Sequence, residues 1–518
     1  MIKRRALLTA AAATGLAAPG LLATGAAGAT GPTGPTGAGR VRSGGIPWEQ
    51  LRAVVRGEVV LPGDAGYERA KQLASAQFDT VRPQAVVRCE SARDVRGALL
   101  FAQDHDLPTA VRSGGHSFTG WSTGQGLVID LSRMDQVRPS ASTVHLGPAA
   151  QAVDVVTALA PLGLSVPGGF CPTVAPGGFV TGGGMGWHFR KYGPASDRLV
   201  AAQVVLADGR IVTASREHHR DLLWALRGGG GGNFGVVTDF EIAPTRERRV
   251  VTLDLTWPWA LADRVLAHWQ EWAAAAPADL APRAGILLND ARPGAEPTVI
   301  VGGAHFGEQS ELEALVAELT AAIGTPPTTR VIQERPYRDA MMRLFGCTDS
   351  STAQCHLTGS NPEALLPRTT WVRHRSRMFG RPVPASGLAA MLGAFDAERR
   401  AGQYRWLGLL SLGKNANAPG AQDTAYVHRD AEFFAVYTVG LSSPQPEPEE
   451  LSAALGWVGG GFAAMDPFSN GRTYVNYPDP DLPDWADAYY GQNLPRLSAV
   501  KRRYDPHGFF RSPHSIPL

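Results

Sequence analysis

Glycine is bunched at three places in this chain, residues 113–116, 177–186 and 227–235. Glycine lets backbone approach a ligand closely and reach positive φ. Runs of exposed backbone N–H groups form nests for phosphate oxygens. One such cluster marks a turn, whereas three within roughly 120 residues point to a phosphate-bearing cofactor. Two familiar phosphate folds are excluded. Gly230-Gly231-Gly232-Asn233-Phe234-Gly235 fits G-x-G-x-x-G, but a helical run precedes it and a strand, Val236 to Phe240, follows. The dinucleotide fingerprint needs the opposite order. No G-x-x-x-x-G-K-[ST] segment exists either.

The flanking sequence reads as α+β. Residues 82–90 form a strand, and Ser91-Ala92-Arg93-Asp94 then opens a helix with a capping pattern. Thr109-Ala110-Val111 and Leu127 to Leu131 are strands, and Val204 to Val212 is a strand pair around Asp208-Gly209. Asp221 to Leu226 is a short helix. Strands and helices mix without strict alternation. The texture changes near residue 247, where strands interleave with helices such as Ser310 to Ile323. The expected division is a first domain at 46–246, a second at 247–460 and a C-terminal segment at 461–518.

Lys3-Arg4-Arg5, a short Ala/Leu stretch and Ala27-Gly28-Ala29 read as an export signal over residues 1–29, similar to the twin-arginine type. A Gly/Pro/Thr-rich linker follows at 30–45. The stretch is too short to span a membrane. A net charge of +2 gives no field for nucleic acid or an anionic membrane. None of the four cysteines lies in a C-x-x-C pair, so no metal site is expected. Cys89 belongs to a buried strand. An exported location permits a disulfide, and Cys347 and Cys355 either pair or remain thiols.

Three distant motifs narrow the reading. Arg112-Ser113-Gly114-Gly115-His116-Ser117, Gly168-Gly169-Phe170-Cys171-Pro172-Thr173-Val174 and Tyr474-Val475-Asn476-Tyr477 together resemble the berberine-bridge-enzyme-like FAD-linked oxidases of the vanillyl-alcohol-oxidase type. Tyr489 to Leu497 and Val500 to Pro506 are similar to the same family's C-terminal signature. The resemblance covers the whole mature chain, in the family's order.

The resemblance implies an FAD-binding domain, an antiparallel-sheet substrate domain covered by helices, and a C-terminal segment returning to the FAD domain. It implies bicovalent FAD, with His116 bonded to the flavin 8α-methyl group and Cys171 to flavin C6. Both are nucleophiles suited to an electron-poor ring. By the same resemblance Arg112, Ser113, Gly114, Gly115 and Ser117 wrap the pyrophosphate with their backbone amides. Gly177, Gly178, Gly182 and Gly183 support the adenosine side and flavin edge. Gly235 and Val237 lie by the adenine, Asn476 contacts the cofactor, and Val174 gates oxygen. Tyr477 matches the general base. A phenol with pKa near about 10 needs a cation or second phenol to serve as one, and Tyr426 is the candidate helper, with Asp423 the nearest carboxylate.

The implied function is secreted oxidation of an alcohol or sugar-type carbon of a small molecule, with O2 reoxidising the flavin to give H2O2. The alternatives are a flavin dehydrogenase with another acceptor and an inactive, secreted ligand-binding flavoprotein. Trp371, Trp406 and Trp457 offer stacking platforms for a sugar, or serve as packing.

Overall fold

The computed structural model describes residues 45–518, so the export signal at 1–29 and nearly all of the linker at 30–45 lie outside the described residues. A small sheet comes first in the chain. It contains β1 (Glu58–Val60), β2 (Ala85–Arg88), β3 (Thr109–Arg112) and β4 (Leu127–Asp130), in the order β1-β2-β4-β3. β4 pairs in parallel with both β2 and β3, and β1 is antiparallel to β2. The crossover from β2 to β3 is the helix Ala92–Asp104, capped as its sequence predicts: the Ser91 hydroxyl accepts from the Asp94 amide at 3.2 Å. Cys89 is buried at the end of β2.

The second sheet holds β5 (Val137–Pro139), β6 (Val144–Leu146), β7 (Leu199–Val205), β8 (Ile211–Ala214) and β9 (Val236–Ile242). They pair antiparallel in the order β5-β6-β9-β7-β8. Gly209, at φ +80°, makes the tight β7–β8 turn.

The third sheet has seven strands. They are β10 (Arg249–Pro258), β11 (Leu280–Leu288), β12 (Thr298–His305), β13 (Thr329–Pro336), β14 (Trp371–Phe379), β15 (Gln403–Ser411) and β16 (Phe433–Leu441). All pairings are antiparallel, in the order β13-β10-β12-β11-β15-β16-β14. Side chains alternate between its faces. Leu407, Leu409, Ala435 and Val439 pack under the helices Ala262–Ala275, Gln309–Ile323, Ala385–Asp396 and Pro448–Met465. The opposite set, including Met378, Phe434 and Val436, packs on Met185, Phe189 and Tyr474. This second face looks toward the glycine-rich segments.

The C-terminal helix Leu494–Tyr504 returns to the first half of the fold, where Leu497, Val500 and Tyr504 join a core with Leu222 and Leu223. Its buried Lys501 is fully committed: Nζ bonds Asp505 at 2.6 Å and the Asn233 and Phe510 carbonyls at 2.7 Å. Removing one partner of a buried pair strands the other charge. Asp505→Ala is expected to cost about 3–5 kcal/mol, read as a fall in the thermal unfolding midpoint. A midpoint unchanged from wild type overturns that role. Cys347 and Cys355 are joined as a disulfide.

Candidate active site

The three glycine clusters meet. A Cβ on Gly177 would lie 2.6 Å from the Ser113 side chain, and one on Gly114 would lie 3.0–3.1 Å from Ala175 and the Thr173 carbonyl. A Cβ on Gly231 would approach Thr181, Gly177 and Gly178. Gly182 lies under Asn476, where a Cβ would come within 2.0 Å of Oδ1. At Gly177 and Gly182 a side chain would force its neighbour to move, and at Gly114 and Gly231 the fit is tight, so glycine lets the three segments pack this closely.

Within the first cluster, the amides of Gly114, Gly115, His116 and Ser117 have no acceptor among the described residues. Buried or half-buried amides left this way suit an anionic oxygen ligand, and they fit the pyrophosphate of FAD. The guanidinium of Arg112 points elsewhere. It pairs with Asp130 in a buried ion pair and also donates to the carbonyls of Ala70, Lys71 and Gln72. Its side chain therefore anchors the loop, leaving ligand contact to backbone. Gly235 approaches β7 closely, a Cβ there falling 2.6 Å from Val204, and Val237 is buried on β9.

His116 Nε2 lies 2.8 Å from the Thr173 hydroxyl. Burial pushes the imidazole down to about 4, against the opposing pull of a hydrogen bond with the Thr173 backbone. It is neutral at physiological pH. Thr173 belongs to the loop that also carries Cys171 and the half-buried Val174, so both candidate nucleophiles share one structural unit.

Tyr477 stands inside a group of rings: Phe118 and Phe434 at 5.1 Å, His374 at 5.6 Å and Tyr474 at 6.1 Å between centroids. Burial first, then the Cys171 thiol and Tyr474, raise its phenol above the ordinary range. The Cys171 influence places thiol and phenol at one locus. The Tyr474 hydroxyl accepts from the Gly184 amide at 2.6 Å and from Asn476 Nδ2 at 2.9 Å, tying the C-terminal motif to the second glycine cluster. Asn476 also donates to the Phe179 carbonyl at 3.1 Å.

The sequence-based helpers are placed differently. The Tyr426 ring lies 6.4 Å from Tyr474 and makes no ring contact with Tyr477. Its buried hydroxyl has no hydrogen-bond partner among the described residues, and its phenol is raised by burial. Asp423 is exposed and closes a turn by accepting from the Gly420 amide at 2.8 Å, so it is no base for this site. Trp457 is buried among helices and Trp371 packs against the same core. Trp406 alone of the three faces the Tyr477 side of the sheet. Its indole lies across Gly285 and Gly408, each of whose Cβ atoms would fall 2.2 Å from it.

Sequence reasoning missed His374. It lies on β14 in register with Thr438 of β16, whose hydroxyl is 2.8 Å from Nδ1. Nε2 is buried without a partner among the described residues, the ring lies 4.2 Å from Phe118, and burial pushes it down to about 3. A lone histidine in a strand carries no motif, and only strand pairing reveals its neighbours.

A fold of this kind, with glycine loops whose free amides suit an anion beneath a seven-stranded antiparallel sheet, fits an FAD-binding oxidoreductase class, and comparison with known proteins agrees. The FAD-binding-domain family matches residues 83–215, and the berberine and berberine-like family matches residues 473–517. The FAD-linked oxidoreductase YvdP of Bacillus subtilis is 32% identical over 469 residues, spanning 89% of this chain and 98% of that protein. Chitooligosaccharide oxidase of Gibberella zeae is 27% identical over 452 residues, spanning 84% and 87%. The solved structure of BBE-like 1 from Physcomitrella patens superposes with a TM-score of 0.80 at 24% identity, covering 91% of this chain and 99% of that one. The chain belongs to the berberine-bridge-enzyme-like FAD-linked oxidoreductases.

Proposed function

We propose that the protein is an exported oxidase that holds FAD through His116 and Cys171 and oxidises an alcohol or sugar-type carbon of a small molecule. One observation carries this reading. His116 is bonded to the Cys171 loop, and Tyr477 lies near enough to Cys171 to feel its charge. When bound, FAD would supply the acceptor for one hydride, that is, two electrons and a proton. The chain's residues do the rest. Loop amides at 114–117 hold phosphate oxygens. His116, neutral through burial, keeps a lone pair for bond formation. Tyr477, in its ionised form, takes the proton of the substrate hydroxyl at its phenolic oxygen. The surrounding rings of Phe118, Phe434 and Tyr474 exclude water from that transfer.

An oligosaccharide or a sugar-bearing metabolite is the substrate class favoured here. The oligosaccharide-oxidising relative supports it, and so does the flat indole of Trp406 on its glycine floor. Dioxygen is the proposed acceptor, leaving as H2O2. The test is anaerobic flavin reduction screened against oligosaccharides and glycosylated metabolites, followed by peroxide measurement in air. A substrate that bleaches the flavin without peroxide in air overturns the oxidase reading. No reduction by any of them overturns the substrate assignment.

Val174 is the proposed gate for oxygen. Val174→Leu adds one methylene beside the Cys171 loop and should slow reoxidation by about tenfold while reduction by substrate changes less than about twofold. Stopped-flow traces of the two half-reactions check this, and equal slowing of both removes the gating role.

A further inference from the structure

We propose that Thr173 is a positioning residue for covalent capture of the flavin at His116: it commits Nε2 and leaves Nδ1 as the bond-forming nitrogen. The proposal rests on the covalent reading above. Thr173 is 2% exposed, and its Oγ1 lies 2.8 Å from His116 Nε2. Burial keeps the imidazole neutral, so one nitrogen carries hydrogen and the other a lone pair. The Thr173 hydroxyl sits at Nε2, and a hydroxyl oxygen accepts from an N–H held there, which leaves the lone pair on Nδ1. Nδ1 has no hydrogen-bond partner among the described residues.

Thr173 is itself held rigidly. The first two amides of the helix Ala152–Leu159 clamp the carbonyls on either side of it: Val153 N–H donates to Pro172 at 2.9 Å and Ala152 N–H to Val174 at 3.0 Å. Gly114 backs the loop, where a Cβ would fall 3.1 Å from the Thr173 carbonyl. A fixed hydroxyl sets both the tautomer and the ring orientation of a histidine, as partners of metal-bound histidines do. The chemistry balances. The Nδ1–C bond forms at the flavin 8α-methyl carbon. One methyl hydrogen and the Nε2 hydrogen leave as protons, and the two electrons released pass through the flavin to dioxygen, giving H2O2. The Thr173 hydroxyl faces the departing Nε2 proton throughout.

The test uses the full chain with Cys171→Ala, so that His116 is the sole link. Purified protein kept with FAD is denatured in acid and digested, and the fraction of His116 peptide carrying the flavin mass is measured over time. Adding Thr173→Val should slow attachment by about tenfold or more, and Thr173→Ser, which restores the hydroxyl, should recover most of the rate. Stoichiometric flavin released by acid from the valine variant reports an intact fold. Attachment in the valine variant at the rate of its Cys171→Ala parent overturns the proposal alone. So does failure of serine to rescue. If neither wild type nor Cys171→Ala carries flavin on the His116 peptide, the covalent reading falls, and this proposal falls with it.

Discussion

Replacing both His116 and Cys171 by alanine is expected to free all the flavin on acid denaturation, while either single replacement retains it. The two links are chemically independent, one through imidazole nitrogen and one through sulfur, so each suffices to hold the cofactor once the fold is lost. In the native state the double variant should still bind FAD reversibly, because the amides at 114–117 and the crossings of Gly114, Gly177 and Gly182 do not depend on either bond. The pH dependence separates a buried histidine from an ordinary one. An unperturbed imidazole near about 6.5 loses its lone pair to protonation below neutrality. Burial holds His116 at about 4, so attachment through His116 in Cys171→Ala should continue at pH 5 nearly as fast as at pH 7. The readout is flavin fluorescence in the band of a denaturing gel. Wild-type protein that loses all its flavin to acid refutes covalent attachment altogether.

The elements near the glycine clusters were legible because their signals are local. Ser91 three residues before Asp94 caps a helix, Asp208-Gly209 turns a hairpin, and the run at Leu127 to Asp130 is a fully buried strand. The disulfide could only be left open, since spacing of eight residues permits but does not require it. The seven-stranded sheet was anticipated as an antiparallel layer under helices, but its strand order was not legible. Each strand's partner there is chosen by pairings across long stretches of chain, such as Trp371 with Leu441. The same limit hid His374, which becomes a neighbour of Tyr477 only through β14 and β16. It also misdirected the choice of Tyr426. Closeness of two tyrosines to motifs says nothing of ring placement, and Tyr426 packs on Tyr474 instead. Arg112 illustrates the converse. Its backbone was the part expected to meet a ligand, and its side chain, paired with buried Asp130, is a strut whose partner only the fold reveals.

Tyr477→Phe is the variant with the greatest expected effect on turnover. It removes one hydroxyl and almost no volume from a site where four rings already fill the space, so the fold and the flavin spectrum should survive. Flavin reduction by substrate should fall by roughly 10²- to 10⁴-fold, the range for a lost general base. Substrate binding should change far less, because the hydroxyl acts mainly in the transition state. The wild-type pH profile follows from the direction of the phenol's shift. Burial raises Tyr477 above the usual phenol value of about 10. A base acts only when deprotonated, so the reduction rate should climb about tenfold per pH unit and reach no plateau by about pH 10. His374 cannot counterfeit that climb, since burial holds it at about 3 and it is already neutral throughout. In Tyr477→Phe the climb should vanish. A phenylalanine variant that reduces its flavin near the wild-type rate removes Tyr477 from the chemistry, and His374, with its buried and unpartnered Nε2 in the same ring group, is then the nearest remaining group able to take a proton.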